Sequence, residues 1–183
     1  MHTTWVVVPT CLPSIVRRCH VCSSDRFQTD GAFRVNAHHK ILDVWLLALC
    51  TTCEETTKIT VLERVNVRYV DPDLLDRFHE NDVALAATLL QDPAVQHRNR
   101  FTLDWGEGWR LETGGWEHPD EGAIDVSVRF AARVPVRPVR LVAEGLGLTR
   151  GSVERLIADG SLVSAHRLTG RRSSDFTFTL KRG

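Results

Sequence analysis

The stretches C-H-V-C at residues 19–22 and C-T-T-C at residues 50–53 decide how the first part of this chain folds. Each stretch places two cysteines three positions apart, a spacing that lets one tight turn aim both thiolates at a single point. Twenty-seven residues separate the two turns, which is enough for a strand, a reversal and a returning strand. We therefore predict one structural zinc ion per chain in a closed tetrahedral site. Its ligands are Cys19, Cys22, Cys50 and Cys53.

Two other uses of these cysteines fit the sequence less well. Disulfides belong to oxidising compartments, but the first ten residues contain no Lys or Arg, and their apolar run stops at Pro9, unlike a secretory signal. A redox C-x-x-C usually occurs once in a chain. We therefore expect a cytoplasmic protein with reduced cysteines. The fifth cysteine, Cys11, has no partner at this spacing, and we expect it to be a small buried residue.

The sequence around the cysteines predicts β-hairpins. Residues 33–37 indicate a short strand, and residues 41–49 form a nearly continuous apolar run that leads into the second cysteine pair. Residues 58–70 alternate apolar and polar side chains with many β-branched residues. Two cysteine turns joined by such strands are typical of a zinc ribbon, which we place at residues 1–70.

A central segment of helices and strands follows over residues 71–136, so the predicted fold class is α+β. Asp71 and the proline after it predict the start of one helix, and a second is predicted over residues 83–90, ending before Pro93. Residues 124–136 alternate again and indicate a strand.

Residues 101–116 are rich in tryptophan and glycine, which suggests tight hairpins. Trp105, Trp109 and Trp116 either form a small aromatic core, the interpretation we favour, or a surface on which bases stack.

Charge is distributed unevenly although the chain is neutral overall. Residues 71–128 carry 4 basic and 13 acidic side chains, whereas residues 129–183 carry 11 basic and 4 acidic ones. The basic last third is consistent with a polyanionic partner, and the alternative is internal neutralisation by the acidic middle. No apolar run approaches the length of a membrane span, so we expect no membrane partner.

The last segment, residues 137–183, predicts two short helices followed by a β-hairpin. Pro138 favours the start of the first helix, Gly147 ends it, and Thr149 can cap the second. Phe176 and Phe178 alternate with polar residues in a final strand.

Residues 137–162 resemble the RNA-binding domain first known from ribosomal protein S-four. The residues that match are Arg137, Leu141, Ala143, Leu148, Thr149, Arg150, Leu156, Ile157 and Gly160. The resemblance implies contacts to structured ribosomal or transfer RNA by Arg137, Thr149, Arg150 and Arg155. The further arginines that we expect to contact phosphates are Arg140, Arg171 and Arg172.

The same residues are also similar to helix-turn-helix modules of the excisionase type. That resemblance implies that Ser152 and Arg155 face a DNA major groove, with a basic wing after them. The strands upstream and the predicted ribbon make us favour RNA over DNA.

Three longer stretches are similar to DUF1062, a bacterial family of unknown function. They are C-L-P-S-I-V-R-R-C-H-V-C at 11–22, F-R-V-N-A-x-x-K-x-L-D-V-W-L at 33–46 and E-R-V-x-V at 63–67. The resemblance covers most of the chain and implies its architecture without implying an activity.

These observations predict a zinc-binding, RNA-binding protein, with a DNA-binding regulator as the first alternative. A non-catalytic interaction or scaffold protein is the second alternative. We expect no enzymatic activity, because the sequence contains no P-loop, G-x-S-x-G or H-E-x-x-H motif.

Overall fold

A computed structural model describes residues 1–115 and 122–182. The strands are β1 (His2–Pro9), β2 (Ser14–Val16), β3 (Arg26–Gln28), β4 (Phe33–His38), β5 (Ile41–Cys50), β6 (Thr56–Asn66), β7 (Thr102–Asp104), β8 (Trp109–Glu112), β9 (Gly122–Phe130), β10 (Leu162–Val163) and β11 (Phe176–Arg182). The α-helices are α1 (Pro72–His79), α2 (Val83–Leu90), α3 (Pro93–Asn99), α4 (Pro138–Leu146) and α5 (Arg150–Ala158), and a short 3-10 helix spans Val67–Tyr69. The predicted α+β class is confirmed.

The chain forms two compact units. Unit 1 combines both ends of the chain, Met1–Cys11 and Glu107–Gly183, and unit 2 is Leu12–Gly106. The division of the sequence into segments 1–70, 71–136 and 137–183 stays a prediction.

Unit 2 is built around β5, which pairs with β6 along one edge and with β4 and then β3 along the other. Alternate residues of β5 are buried, from Leu42 to Ala48. Helices α1, α2 and α3 contribute buried side chains to the same core, among them Phe78, Leu90 and Val95.

Aspartates cap all three helices of unit 2. The side chains of Asp71, Asp82 and Asp92 each accept a backbone N–H bond from the first turn that follows. The predicted first and second helices are confirmed. The prediction that the second helix ends before Pro93 is confirmed, but no prediction covers α3, which begins at that proline.

Buried Asn99 attaches α3 to the free edge of β6. Its Oδ1 accepts the N–H of Thr60 at 2.7 Å, and its Nδ2 donates to the carbonyl of Thr60 at 2.9 Å and to that of Val95 at 2.8 Å. The amide therefore pairs with Thr60 as a neighbouring strand would, and leaves none of these buried groups without a partner.

The sheet of unit 1 has the order β10-β11-β9-β1-β8. Strands β1 and β9 are parallel and the other pairs are antiparallel. Fully buried Trp5 of β1 contacts Phe178 edge to face at 5.4 Å, and α4 packs on the same indole through Gly145. A Cβ at residue 145 would lie 2.3 Å from the Trp5 ring, so only glycine allows this approach.

The predicted strand at 124–136 is wrong at its C-terminal end, since β9 stops at Phe130. Its last partner on β11 is Phe176, opposite Val128, so the ladder between these two strands ends there. Val134 and Val136 are nevertheless buried in unit 1. Val136 also forms an isolated antiparallel bridge with Arg172, so the alternation reflects burial together with a single bridge rather than a continuous strand.

Candidate metal centre

Two short turns present the cysteines, and strand pairing brings the turns together. The first turn connects β2 to β3, which pair through Ile15 opposite Phe27. The second connects β5 to β6. Strand β3 also pairs with β5, with Phe27 opposite Cys50, so both turns lie at the same end of the sheet.

Backbone hydrogen bonds fix the shape of each turn. In the first turn the N–H of Cys19 donates to the carbonyl of Ser24 at 2.8 Å, and in the second the N–H of Cys50 donates to that of Glu55 at 2.9 Å. Glu54 closes the second turn with a bond to the Cys50 carbonyl at 3.0 Å and adopts a left-handed φ of 59°. The turns are thus shaped by the backbone and leave the sulfur atoms available.

The four sulfur atoms converge and fit a tetrahedral metal ion. All four lie within 4.8 Å of one another, with Cys19 Sγ 3.7 Å from Cys53 Sγ and Cys22 Sγ 3.6 Å from Cys50 Sγ. A zinc ion with bonds of about 2.3 Å to four thiolates sets its sulfurs about 3.8 Å apart, whereas a disulfide needs about 2.05 Å. The cysteines are free thiols that could hold a metal such as zinc.

The surroundings of the sulfur atoms shift the pKa values of Cys50 and Cys53 in opposite directions. Backbone N–H groups of Cys53 and Thr52 point at Cys50 and lower its pKa to about 6, against the raising effect of burial. The N–H of Glu55 lowers the pKa of Cys53, but partial desolvation and the three neighbouring thiols outweigh it and raise the pKa to about 12. Four sulfurs this close cannot all become thiolates unless a cation compensates their charge, and a bound metal ion would supply it.

Within the two described stretches of chain, this is the one cluster of at least three potential metal ligands. Cys19 and Cys50 are buried, Cys22 is half-buried and Cys53 is exposed. Four sulfurs complete a tetrahedron and leave no position for a reacting water, which is the arrangement of structural sites.

Cys11 differs from its expectation. We predicted a buried residue, but the side chain is exposed and lies outside the cluster. It occupies a bend just after Pro9 ends β1, where the chain leaves the sheet and a small side chain has no core to enter.

The C-terminal helix pair forms as the sequence predicts. Helix α4 begins at Pro138 and ends at Gly147, whose φ is 65°, and Thr149 caps α5 by accepting the N–H of Ser152 at 3.1 Å. Strand β10 then pairs with β11. Four of the predicted nucleic-acid contacts are exposed arginines: Arg137, Arg150, Arg155 and Arg171.

Two other predicted arginines are held by the protein itself. Arg140 forms an ion pair with Glu107 and lies over the Trp109 ring, 5.5 Å from its centroid. Arg172 donates to the carbonyls of Ser174 at 3.0 Å and Asp175 at 3.3 Å. No local pattern in the sequence indicates the Arg140 contact, because Glu107 lies 33 residues from Arg140.

The tryptophan-rich segment is shared between the units. Trp105 is buried in unit 2, and Trp109 is half-buried in unit 1 beneath Arg140. The Trp105 position agrees with the core interpretation, whereas Trp116 lies outside the described residues.

Among residues 1–115 and 122–182, no helix is long and apolar enough to cross a membrane. Comparison with curated proteins and with solved structures finds no match. The family model for a protein of unknown function, DUF1062, matches residues 35–168, which is more than half of the sequence. The chain therefore belongs to the DUF1062 family.

Proposed function

We propose that this chain is a zinc-containing, non-enzymatic RNA-binding protein. Zinc at Cys19, Cys22, Cys50 and Cys53 folds one end of unit 2, and the helix pair of unit 1 binds structured RNA.

The choice of zinc follows from the chemistry of the donors. Four thiolates in a closed tetrahedral set suit zinc better than magnesium or calcium, which take oxygen ligands. Iron can also occupy four thiolates, so the metal content decides between them.

The observation that carries the RNA proposal is the exposed arginine set on and after the α4–α5 pair. Within the described residues, none of Arg137, Arg150, Arg155 and Arg171 forms a salt bridge, whereas Arg140 does. Arg150 is the first residue of α5, where the helix dipole also favours an anion. Guanidinium groups that are exposed and unneutralised are the usual phosphate contacts of nucleic-acid-binding proteins.

The exposed face of α5 favours contact with a backbone over an apolar partner. Arg155 donates to Ser152 Oγ at 3.1 Å, which holds its side chain along the first turn of the helix. Glu154 is exposed on the same helix and Asp159 is exposed directly after it, so the charges here are mixed, and none of the exposed large hydrophobic side chains of the described residues lies on α5. The resemblance to the S-four type domain makes structured RNA the preferred class.

A DNA duplex is the second candidate, and a specific feature favours it. Only three residues, 147–149, separate α4 from α5, the turn length of DNA-binding helix-turn-helix units. RNA and DNA binding would use the same arginines, so competition between the two nucleic acids must separate them.

Fluorescence anisotropy with a structured RNA hairpin tests the proposal. We expect affinity to fall steeply as salt rises, because phosphate contacts release counterions. The double variant Arg150→Ala/Arg155→Ala should bind more weakly and reduce the salt slope by about 1 to 2. Arg110→Ala is the matched control: it removes an exposed arginine of unit 1 that already pairs with Glu112, and should leave affinity unchanged.

Three results would overturn the RNA proposal. An affinity that does not change with salt would rule out phosphate contacts as the source of binding. Equal affinities of the double variant and the wild type would rule out contacts by Arg150 and Arg155. If a DNA duplex displaces the RNA hairpin and unlabelled RNA does not, the helix pair binds DNA rather than RNA.

A further inference from the structure

One end of unit 2 carries an aromatic and basic surface far from the cysteines. The β4–β5 turn and the 3-10 helix meet there: Ile41 pairs with Asn66, and the N–H of Val67 donates to the carbonyl of Lys40 at 2.8 Å. We call residues 38–41 and 66–69 the hairpin tip. Strand β5 runs for ten residues from the tip to Cys50, so about 30 Å separates the tip from the cysteine turns.

Three rings of the hairpin tip face solvent. Tyr69, the single tyrosine of the chain, is 84% exposed, the highest value among the exposed large hydrophobic side chains of the described residues. His38 and His39 are also exposed, and their ring centroids lie 4.4 Å apart in an edge-to-face arrangement. Such rings offer flat faces on which a planar ligand can stack.

Cationic side chains lie in the same segments of the chain as these rings. Lys40 and Arg68 belong to the hairpin tip, Arg64 lies just before it on β6, and all three are exposed. Within the described residues, no salt bridge neutralises any of the three. Glu63 is the exposed carboxylate closest in sequence to Arg64.

The two other nearby carboxylates already have backbone partners. Asp43 Oδ1 accepts the N–H of Arg64 at 2.8 Å, and Asp71 Oδ1 accepts the N–H of Asp73 at 2.9 Å, where it caps α1. These bonds fix the carboxylates to local backbone rather than to the cations. Within the hairpin tip itself, residues 38–41 and 66–69 include Lys40 and Arg68 and no carboxylate, so the tip carries two formal positive charges beside its exposed rings.

From this combination we infer that the hairpin tip binds a single-stranded nucleic-acid segment. Bases stack on Tyr69 and on the histidine pair, while phosphates contact Lys40, Arg64 and Arg68. Exposed rings interleaved with cations are how proteins hold single strands without reading their sequence. A duplex cannot use this surface in the same way, because its bases are stacked inside.

An apolar protein partner fits the surface less well. Val67 is the one exposed large aliphatic side chain of the hairpin tip, at 38% exposure, and polar or charged residues surround it. The inference does not rest on RNA binding by unit 1, because every residue that carries it belongs to unit 2.

Crosslinking tests where a single strand lies. The probe is an oligouridylate with one 5-iodouridine, irradiated with the full-length protein and mapped by mass spectrometry. We expect the crosslinked peptide to contain Tyr69 or the His38–His39 pair. Crosslinks confined to unit 1 would overturn the inference.

Affinity measurements with the same oligouridylate test the stacking. Tyr69→Ala should weaken binding about fivefold to a hundredfold, the range for losing one stacked base, whereas Tyr69→Phe should bind within about twofold of wild type because the ring remains. Arg77→Ala, which removes a unit 2 cation paired with Asp82, is the control for charge alone. Thermal melting checks that the exposed substitutions leave the fold intact.

The two sites can fail separately. Loss of oligouridylate binding in Arg150→Ala/Arg155→Ala but not in Tyr69→Ala would overturn the hairpin-tip inference and leave the helix-pair proposal standing. The reverse pattern would support the hairpin tip, and the helix-pair proposal, which concerns structured RNA, would still be decided by the RNA hairpin assay. Equal oligouridylate affinity of Tyr69→Ala and wild type would also overturn the inference. So would displacement of the oligouridylate by anionic lipid vesicles alone, because the surface would then bind a membrane rather than a single strand.

Discussion

The two units of this chain hold their sheets together in different ways. In unit 1, β9 and β11 share seven residue pairs and β1 and β9 share six, and the helix pair covers a core that includes Trp5 and Phe178. In unit 2, β2 and β3 share two pairs, and β3 and β5 share two more. The strands at the cysteine end are thus among the shortest in the molecule.

The cysteine end of unit 2 is therefore the place where a bound metal ion would add most to stability. Strands of three residues fix few hydrogen bonds, so pairing alone does not stabilise them well, although Ile15 and Phe27 are each buried in the core. A metal ion held by the four cysteines would connect the two turns at that weakly paired end. Unit 1 brings no comparable cluster among its described residues and depends on burial.

Loss of the metal should have the largest effect and should be confined to unit 2. Cys50→Ser removes a ligand of a site whose binding contributes on the order of 10 kcal/mol or more in zinc-dependent folds. We expect hydrogen exchange to show rapid exchange in residues 14–28 and 50–56, with β9 and β11 still protected. Cys11→Ser, which changes an exposed cysteine outside the cluster, is the control and should exchange like wild type. Equal loss of protection in both units would contradict the view that only unit 2 depends on the metal.

The tight helix–sheet contact of unit 1 should give the next largest effect. Gly145→Ala places a methyl group 2.3 Å from the fully buried Trp5 ring, and we expect a loss of about 3 kcal/mol in the free energy of unfolding. Gly151→Ala on α5 meets nothing within 4 Å and should stabilise the helix by about 0.5–1 kcal/mol. Denaturant unfolding of both variants measures the difference. Similar stabilities for the two would show that unit 1 does not depend on this packing.

In unit 2, the amide bridge between α3 and β6 should contribute less. Asn99→Ala removes three hydrogen bonds and leaves the N–H and carbonyl of Thr60 without that partner, which we expect to cost about 2 kcal/mol. Asn36→Ala changes an exposed residue of β4 and should be nearly neutral. Urea unfolding with the metal bound gives both values. A neutral Asn99→Ala would mean that the metal, rather than this edge, carries the stability of unit 2.

The smallest effect on stability should be the pH-dependent contribution of Asp82, which caps the start of α2. Hydrogen bonds from Arg77, then from the backbone of Leu85 and Ala84, lower the pKa of Asp82 despite partial desolvation. Because the folded-state pKa is depressed, the stability that Asp82 contributes is present above its unfolded pKa of about 3.9 and is lost as pH falls through the folded value. Asp82→Asn should therefore melt below wild type at pH 7, and the gap should narrow near pH 3. A gap that does not change with pH would assign the effect to capping geometry alone.

Local signals predicted much of this structure. The spacing of the cysteines anticipated that their sulfurs converge, and aspartates followed by a helical pattern located α1 and α2. The same Asp-Pro pattern occurs at Asp92, but it does not identify α3 by itself, because a proline at this position can either follow the end of one helix or begin the next.

Non-local pairing could not be predicted. The first apolar run of the chain becomes β1, whose neighbours are β8 and, in parallel, β9, more than one hundred residues away. Neither partner is encoded in the run itself, since alternation specifies a face and not a neighbour. For the same reason the exposed cluster at the hairpin tip was not predicted: His38 and Tyr69 lie thirty-one residues apart, and only the register of β5 with β6 brings their segments together.

The metal content of the purified protein decides whether the four clustered cysteines hold a zinc ion. Protein prepared without chelator should contain about one zinc ion per chain by elemental analysis, and Cys22→Ser and Cys50→Ser should contain almost none, while Cys11→Ser should match wild type. Wild-type protein that carries no metal, or whose intact mass shows two disulfides in place of four thiols, would contradict the proposed zinc site.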